Sequence, residues 1–254
     1  MYPILFTIGN FPITTYGLMI ASAFMTGLFV LKIEFKRLSL PEEAVDLIFW
    51  RAAVGGLLGA RLYYVFLQII SGTNQSFIDL FFSRAGMVFF GGLIGGTALV
   101  LHGIKRKGYP LKTILDALAP VLIISYGIGR IGCFFAGCCY GHESSLPWAV
   151  TFTNQMCSAP LGISLHPTQL YETLASLGIF TILWNLRKKM NFAGGLFAIY
   201  ISFVGAERLF VEFFRDKDDY LNHAQTFTMA QLISTGLIIF GIALFSYFKK
   251  QSIK

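Results

Sequence analysis

The sequence predicts an all-α integral membrane protein of seven transmembrane helices, with the N-terminus outside and the C-terminus in the cytoplasm. Three observations predict it. Of 254 residues, 55% are hydrophobic and only 13% charged, against about 25% charged in soluble domains, and the mean hydropathy is +0.66. Seven stretches approach the roughly 20 apolar residues that cross a bilayer. Most basic residues fall on one side of the path those stretches trace. A large soluble core would still need a charged coat, and the residues for one are lacking. The whole chain, 1–254, is therefore expected to form a single seven-span membrane domain.

The spans follow in order. The first, 13–31, precedes the earliest basic residue, Lys32, so it lacks the positive leader of a cleavable signal and is expected to remain as a span. The second, 44–68, is interrupted by Arg51 and Arg61. The third, 87–104, is the shortest and glycine-rich; Gly91, Gly92, Gly95 and Gly96 form two overlapping GxxxG pairs, a pattern of close helix packing. The fourth, 112–135, ends in Arg130 and Cys133. The fifth, 168–186, starts after His166 and Pro167, where the histidine orients the loop. The sixth, 193–214, carries Arg208 and Glu212, and the seventh, 227–248, ends before Lys249. The piece SFIDLFFSRAG (76–86) is too short to span and is expected in the interface or as a re-entrant segment.

Charge orients this path. Lys32, Lys36, Arg37, Lys105, Arg106, Lys107, Lys112, Arg187, Lys188, Lys189, Lys249, Lys250 and Lys254 make 13 of the 20 basic residues, all on one side. By the positive-inside rule that side is cytoplasmic, which also explains the net charge of +7 without nucleic acid. The loop 136–167 has no Lys or Arg and belongs outside.

Seven basic residues do not fit: Arg51, Arg61, Arg84, Arg130, Arg208, Arg215 and Lys217. Arg51 is placed to snorkel to the cytoplasm. Arg215 and Lys217 sit among Asp216, Asp218 and Asp219, as in a solvated loop. Arg61, Arg130 and Arg208 each fall in the outer half of an apolar span. A central arginine costs roughly 2.5–3.5 kcal/mol on insertion scales, so three need a reason. Ion pairing with Glu212, Asp46, Asp116 or Glu207 is one. Phosphate binding is the other, because a guanidinium grips phosphate with a bidentate fork and stays charged in any surroundings. At headgroup depth, that phosphate belongs to a phospholipid.

Several motifs resemble those of the bacterial prolipoprotein diacylglyceryl transferases. They are TYGLM (15–19), GARLYYVF (59–66), GMVFFGGLIGG (86–96), GRIGCFFAGCCYG (129–141), HPTQLYE (166–172), RLFVEFFR (208–215) and TMAQ (228–231), in the family's order and spacing from about residue 10 to 235. The resemblance implies transfer of a diacylglyceryl group from phosphatidylglycerol to the lipobox cysteine of a lipoprotein precursor's signal peptide. It implies release of glycerol phosphate without cofactor or metal, in the bacterial cytoplasmic (inner) membrane. It puts Tyr16, Arg130, Gly141, Arg208 and Glu212 at functional positions. With Arg61 added for its place in the outer half of its span and Cys133 for standing at the asparagine position, Arg130, Arg208 and Glu212 are the catalytic candidates and Tyr16, Arg61, Cys133 and Gly141 the substrate-binding ones. Two positions depart from the pattern: Phe90 stands where the family has a histidine, and Cys133 where it has an asparagine.

The departures keep other functions open: a phospholipid-dependent transferase with a different acceptor, or an anion or lipid transporter using the buried arginines. A redox protein built on adjacent Cys138 and Cys139 is weaker, since reversible pairs use C-x-x-C spacing. For Cys133, Cys138, Cys139 and Cys157 three readings stand. They are small buried residues or an outer disulfide with Cys157; a Cys/His metal site that includes His142, on irregular spacing; or, near Arg130, an active thiol. His102 and His223 read as boundary residues.

Overall fold

The computed structural model describes residues 2–9, 11–73, 75–83, 86–215 and 228–252. Arg84, Lys217, His223 and Asp216, Asp218 and Asp219 lie outside the described residues. The chain opens with a hairpin, β1 (Ile4–Ile8) and β2 (Phe11–Thr14), which leads directly into α1 (Thr15–Arg37). Then come α2 (Glu42–Ile70), the short α3 (Phe77–Phe82), α4 (Phe89–Lys107) and α5 (Leu111–Ala136). A two-stranded ribbon, β3 (Val150–Thr151) and β4 (Ser164–Leu165), precedes α6 (Thr168–Leu186), α7 (Gly195–Glu212) and α8 (Met229–Ser252). Each expected span is thus a helix within a few residues of its expected limits, and the short piece is a separate six-residue helix. Four helices, α1, α2, α5 and α8, are long and apolar enough to cross a bilayer. This is an all-α membrane protein with two small ribbons.

Two compact units form: residues 32–114, and residues 1–31 with 115–254. In the first, α2 and α4 cross with backbones almost touching. A Cβ placed on Gly55 would lie 2.7 Å from the Gly95 carbonyl oxygen, and one on Gly95 would lie 2.9 Å from the Gly59 Cα. Without side chains there, dispersion contacts and weak Cα–H donors act over the closest distance, the main source of helix association in lipid. Gly59→Val is therefore expected to force α2 and α4 apart and destabilise the protein by about 1–3 kcal/mol or more. A fall in thermal midpoint in micelles checks this, whereas exposed Gly178→Val, with nothing near its Cβ position, should leave the midpoint in place.

Arg61 is held within the same unit. Its Nε donates to the Phe81 carbonyl at 2.6 Å, Nη1 to Gly86 at 2.8 Å, and Nη2 to Leu80 at 2.6 Å and to the Ser83 hydroxyl at 2.9 Å. Nη2 also donates to the Ser83 carbonyl. These carbonyls include ones that a helix end leaves unsatisfied. Arg51 donates to the Leu99 carbonyl of α4 at 3.2 Å.

In the second unit, Ala119 and Ile123 of α5, Ile179 and Leu183 of α6 and Leu196 of α7 form a buried cluster. Asp116, an expected arginine partner, instead caps a helix. Its carboxylate accepts from the backbone N–H of Gly194 at 2.6 Å and of Phe197 at 2.9 Å. That satisfies two orphan donors of α7 and places a negative charge at the positive end of its dipole. The loop after α5 has its own core of Phe152, Cys157, Ala159 and Leu165.

Candidate active site

Arg130 lies near the end of α5 and faces Glu172 on α6. Its Nε stands 2.9 Å from Glu172 Oε2; the carboxylate is fully buried and the arginine side chain is 16% exposed. Tyr126, one turn earlier on α5, donates its hydroxyl to Glu172 Oε1 at 3.2 Å. The Arg130 guanidinium carbon stands 4.9 Å from the centre of the Tyr126 ring. Carboxylate and ring together hold the guanidinium in place.

A second arginine–carboxylate pair sits on α7. Arg208 Nη2 is 2.8 Å from Glu212 Oε2, the i,i+4 pair expected from the sequence. Glu212 Oε1 accepts from the Thr228 hydroxyl at 2.9 Å, just before α8. Arg208 Nη1 and Glu207 Oε1 are buried with no hydrogen-bond partner among the described residues. An unmade hydrogen bond on a buried polar atom costs about 1–3 kcal/mol, more when the group is charged. A polar ligand would relieve it. Glu172 lies within the electrostatic reach of both Arg130 and Arg208, as does Glu207. The two pairs therefore make one charged centre inside an apolar bundle.

Tyr16, at the start of α1, packs on α5 where it passes; a Cβ on Gly132 would lie 3.2 Å from the Tyr16 ring. Its hydroxyl interacts electrostatically with Arg130 and with Cys133, Cys138 and Cys139. Gly141 makes a backbone bridge to Arg215, and its N–H donates to the His166 carbonyl at 2.9 Å. A Cβ there would overlap the Phe214 carbonyl oxygen and stand 2.7 Å from His166 Cβ. Gly141 thus lets the loop after α5 lie flat against the end of α7, and no larger residue fits. His166 holds this junction: Nδ1 is 3.0 Å from the Tyr171 hydroxyl, and its ring packs edge-on to His142 at 4.6 Å. Burial and the His142 ring hold its pKa below the ordinary imidazole value.

The four cysteines are free thiols, and the expected disulfide with Cys157 does not form. Cys157 is buried in the loop core, while the Sγ atoms of Cys133, Cys138 and Cys139 lie within 4.8 Å of one another. His142, an expected companion in a metal site, is outside that group. The three thiols shift one another: neighbouring sulfurs lower the pKa of the Cys139 thiol and raise that of Cys138, whose Sγ donates to the Cys133 carbonyl at 3.7 Å.

The second unit therefore brings together Tyr16, Arg130, Cys133, Arg208 and Glu212, with Gly141 shaping the adjoining loop. Arg61 belongs to the other unit, and the carbonyls around α3 take up its donors. Sequence reasoning missed Glu172, Tyr126 and the positioning Gln169, whose amide donates to the Cys138 carbonyl at 2.6 Å. Glu172 was within reach as the sole carboxylate of its span, in HPTQLYE.

The family model described as prolipoprotein diacylglyceryl transferase matches residues 3–247. Among named relatives, a phosphatidylglycerol–prolipoprotein diacylglyceryl transferase of Clostridium tetani is 35% identical over 99% of this chain and 100% of its own. Proteins of the same name from Geobacter sulfurreducens and Bordetella avium are 32% and 33% identical, over 95% and 98% of this chain and 93% and 96% of theirs.

Proposed function

The chain belongs to the prolipoprotein diacylglyceryl transferase family, and we infer that it transfers a diacylglyceryl group from phosphatidylglycerol to the lipobox cysteine thiol of a lipoprotein precursor. The observation that carries this reading for the site is the pair of half-buried arginines, each tied to a buried carboxylate, with Arg208 Nη1 buried and without a hydrogen-bond partner among the described residues.

In the reaction, the acceptor sulfur attacks the glycerol carbon that bears the phosphate. The S–C bond forms, the C–O bond to phosphate breaks, and glycerol phosphate leaves with the electron pair. The thiol proton passes to a base. Negative charge grows on the departing phosphate, so fixed donors aimed at it lower the barrier without reorganisation. Arg130 and Arg208 supply those donors. Glu172 and Tyr126 position Arg130; Glu212, held by Thr228, positions Arg208. Tyr16 lines the headgroup side, next to Cys133. Phe90 cannot move a proton, so the thiol proton goes to Glu212 or to another polar group of this centre such as Glu207, or is lost under the positive field of the arginines acting on the thiol itself.

The reading places the protein as one multi-pass domain in the bacterial cytoplasmic membrane, crossing seven times with the N-terminus outside. The one-sided basic residues support that orientation. Reporter fusions at Ser145 and Lys188 are expected on opposite faces; both on one face would sink it.

Purified protein given labelled phosphatidylglycerol tests the activity. Label is expected on a lipobox peptide with cysteine and not on its serine counterpart, with glycerol phosphate released in equal amount. Turnover that ignores the cysteine would point to another acceptor.

A further inference from the structure

The spacing of Cys133, Cys138 and Cys139 is irregular, yet the fold gathers them. Cys133 sits in the last turn of α5; the helix ends at Ala136. The chain then reverses through Gly137 at φ 71° and Cys139 at φ 60°. A left-handed conformation costs a residue with a Cβ roughly 1–2 kcal/mol, and here it brings a third sulfur back to the helix end. Two side chains of α6 hold the turn: Thr168 Oγ1 donates to the Cys139 carbonyl and Gln169 Nε2 to the Cys138 carbonyl, each at 2.6 Å. The arrangement is built, and it is built around three thiols within 4.8 Å.

Three is the wrong number for a disulfide, which would leave one thiol over. It is the right number for a metal tripod. With metal–sulfur bonds of about 2.3 Å, the sulfurs of a thiolate-bound zinc ion stand about 4 Å apart, inside the spread seen here. Three thiolates need compensating charge, and Arg130, three residues before Cys133 on the same face of α5, carries a positive charge beside them. Soft sulfur donors with no oxygen in the set exclude magnesium and calcium.

We propose that Cys133, Cys138 and Cys139 form a three-thiolate site for a zinc-class divalent cation, with its fourth tetrahedral position open. All three residues are only partly buried, which leaves a path for the ion. The site adjoins the transfer centre through Cys133 and Arg130, so metal binding is read directly and not through turnover.

Cobalt(II) titration of the reduced, full-length protein in detergent tests it. A thiolate-to-cobalt charge-transfer band is expected to saturate at one ion per chain and to vanish on adding zinc(II). Zinc is also expected to protect all three cysteines together from maleimide in the unmutated protein, which avoids any folding defect of a variant. Cys138→Ser and Cys139→Ser should each weaken cobalt binding at least tenfold, and Cys157→Ser should not. Absence of the band, its survival in the triple serine variant, uptake of copper(I) alone, or a disulfide within the cluster of the isolated protein would each overturn the assignment.

Discussion

Arg130→Lys is expected to slow diacylglyceryl transfer about 10²–10³-fold, the range seen when one transition-state donor is lost. Lysine keeps the charge and removes the fork. A point charge on a flexible stem cannot grip two phosphate oxygens at once, nor offer the planar group whose carbon stands 4.9 Å from the centre of the Tyr126 ring. The loss should appear in kcat more than in KM, because charge on the phosphate grows as the C–O bond breaks. Arg208→Lys should be milder, since a lysine four residues before Glu212 can still pair with it. Both variants are to be assayed with labelled phosphatidylglycerol and a lipobox peptide. If both keep full turnover, the arginines serve the fold and not the reaction.

Glu172→Ala is expected to destabilise the protein by about 3–5 kcal/mol, the range for breaking a buried pair from one side. The carboxylate is fully buried and carries both the Arg130 contact at 2.9 Å and the Tyr126 hydroxyl at 3.2 Å. Its removal strands a charged guanidinium in an apolar bundle. Glu172→Gln keeps an acceptor for Tyr126 and should lose less stability, yet it removes the charge that fixes Arg130 and should still impair turnover. Chemical denaturation in micelles separates these effects. An alanine variant as stable as the parent would show that Arg130 is compensated by something other than Glu172.

Much of this architecture could be read from the chain. Long apolar stretches report helices well, because length and hydropathy survive any detail of packing; all seven appear with boundaries shifted by a few residues. Glycine pairs in the third stretch reported the close crossing correctly for the same reason. Arg130, Arg208 and Glu212 stood out because charge within apolar sequence is costly. The N-terminal hairpin was missed, since β1 and β2 are short and lack a strict alternation. Arg61 shows the deeper limit: backbone carbonyls satisfy it, and carbonyls have no signature in a sequence. The cysteine cluster was visible in the chain, but the meeting of its three sulfurs was not. Positions 133, 138 and 139 converge only because Gly137 and Cys139 turn the chain left-handed.

The cage around Arg61 also constrains the order in which the protein is built. Helix α3 is six residues long and far below the length that a translocon passes into lipid by itself. Its terminal carbonyls find their donors on a side chain that arrives earlier in synthesis, on α2. Helix α3 is thus a dependent piece, stable in the bilayer once α2 has been inserted and Arg61 is in reach. An arginine that must be brought into the membrane before its partners exist crosses uncompensated for a moment, and the nascent chain relieves that imbalance as soon as α3 emerges.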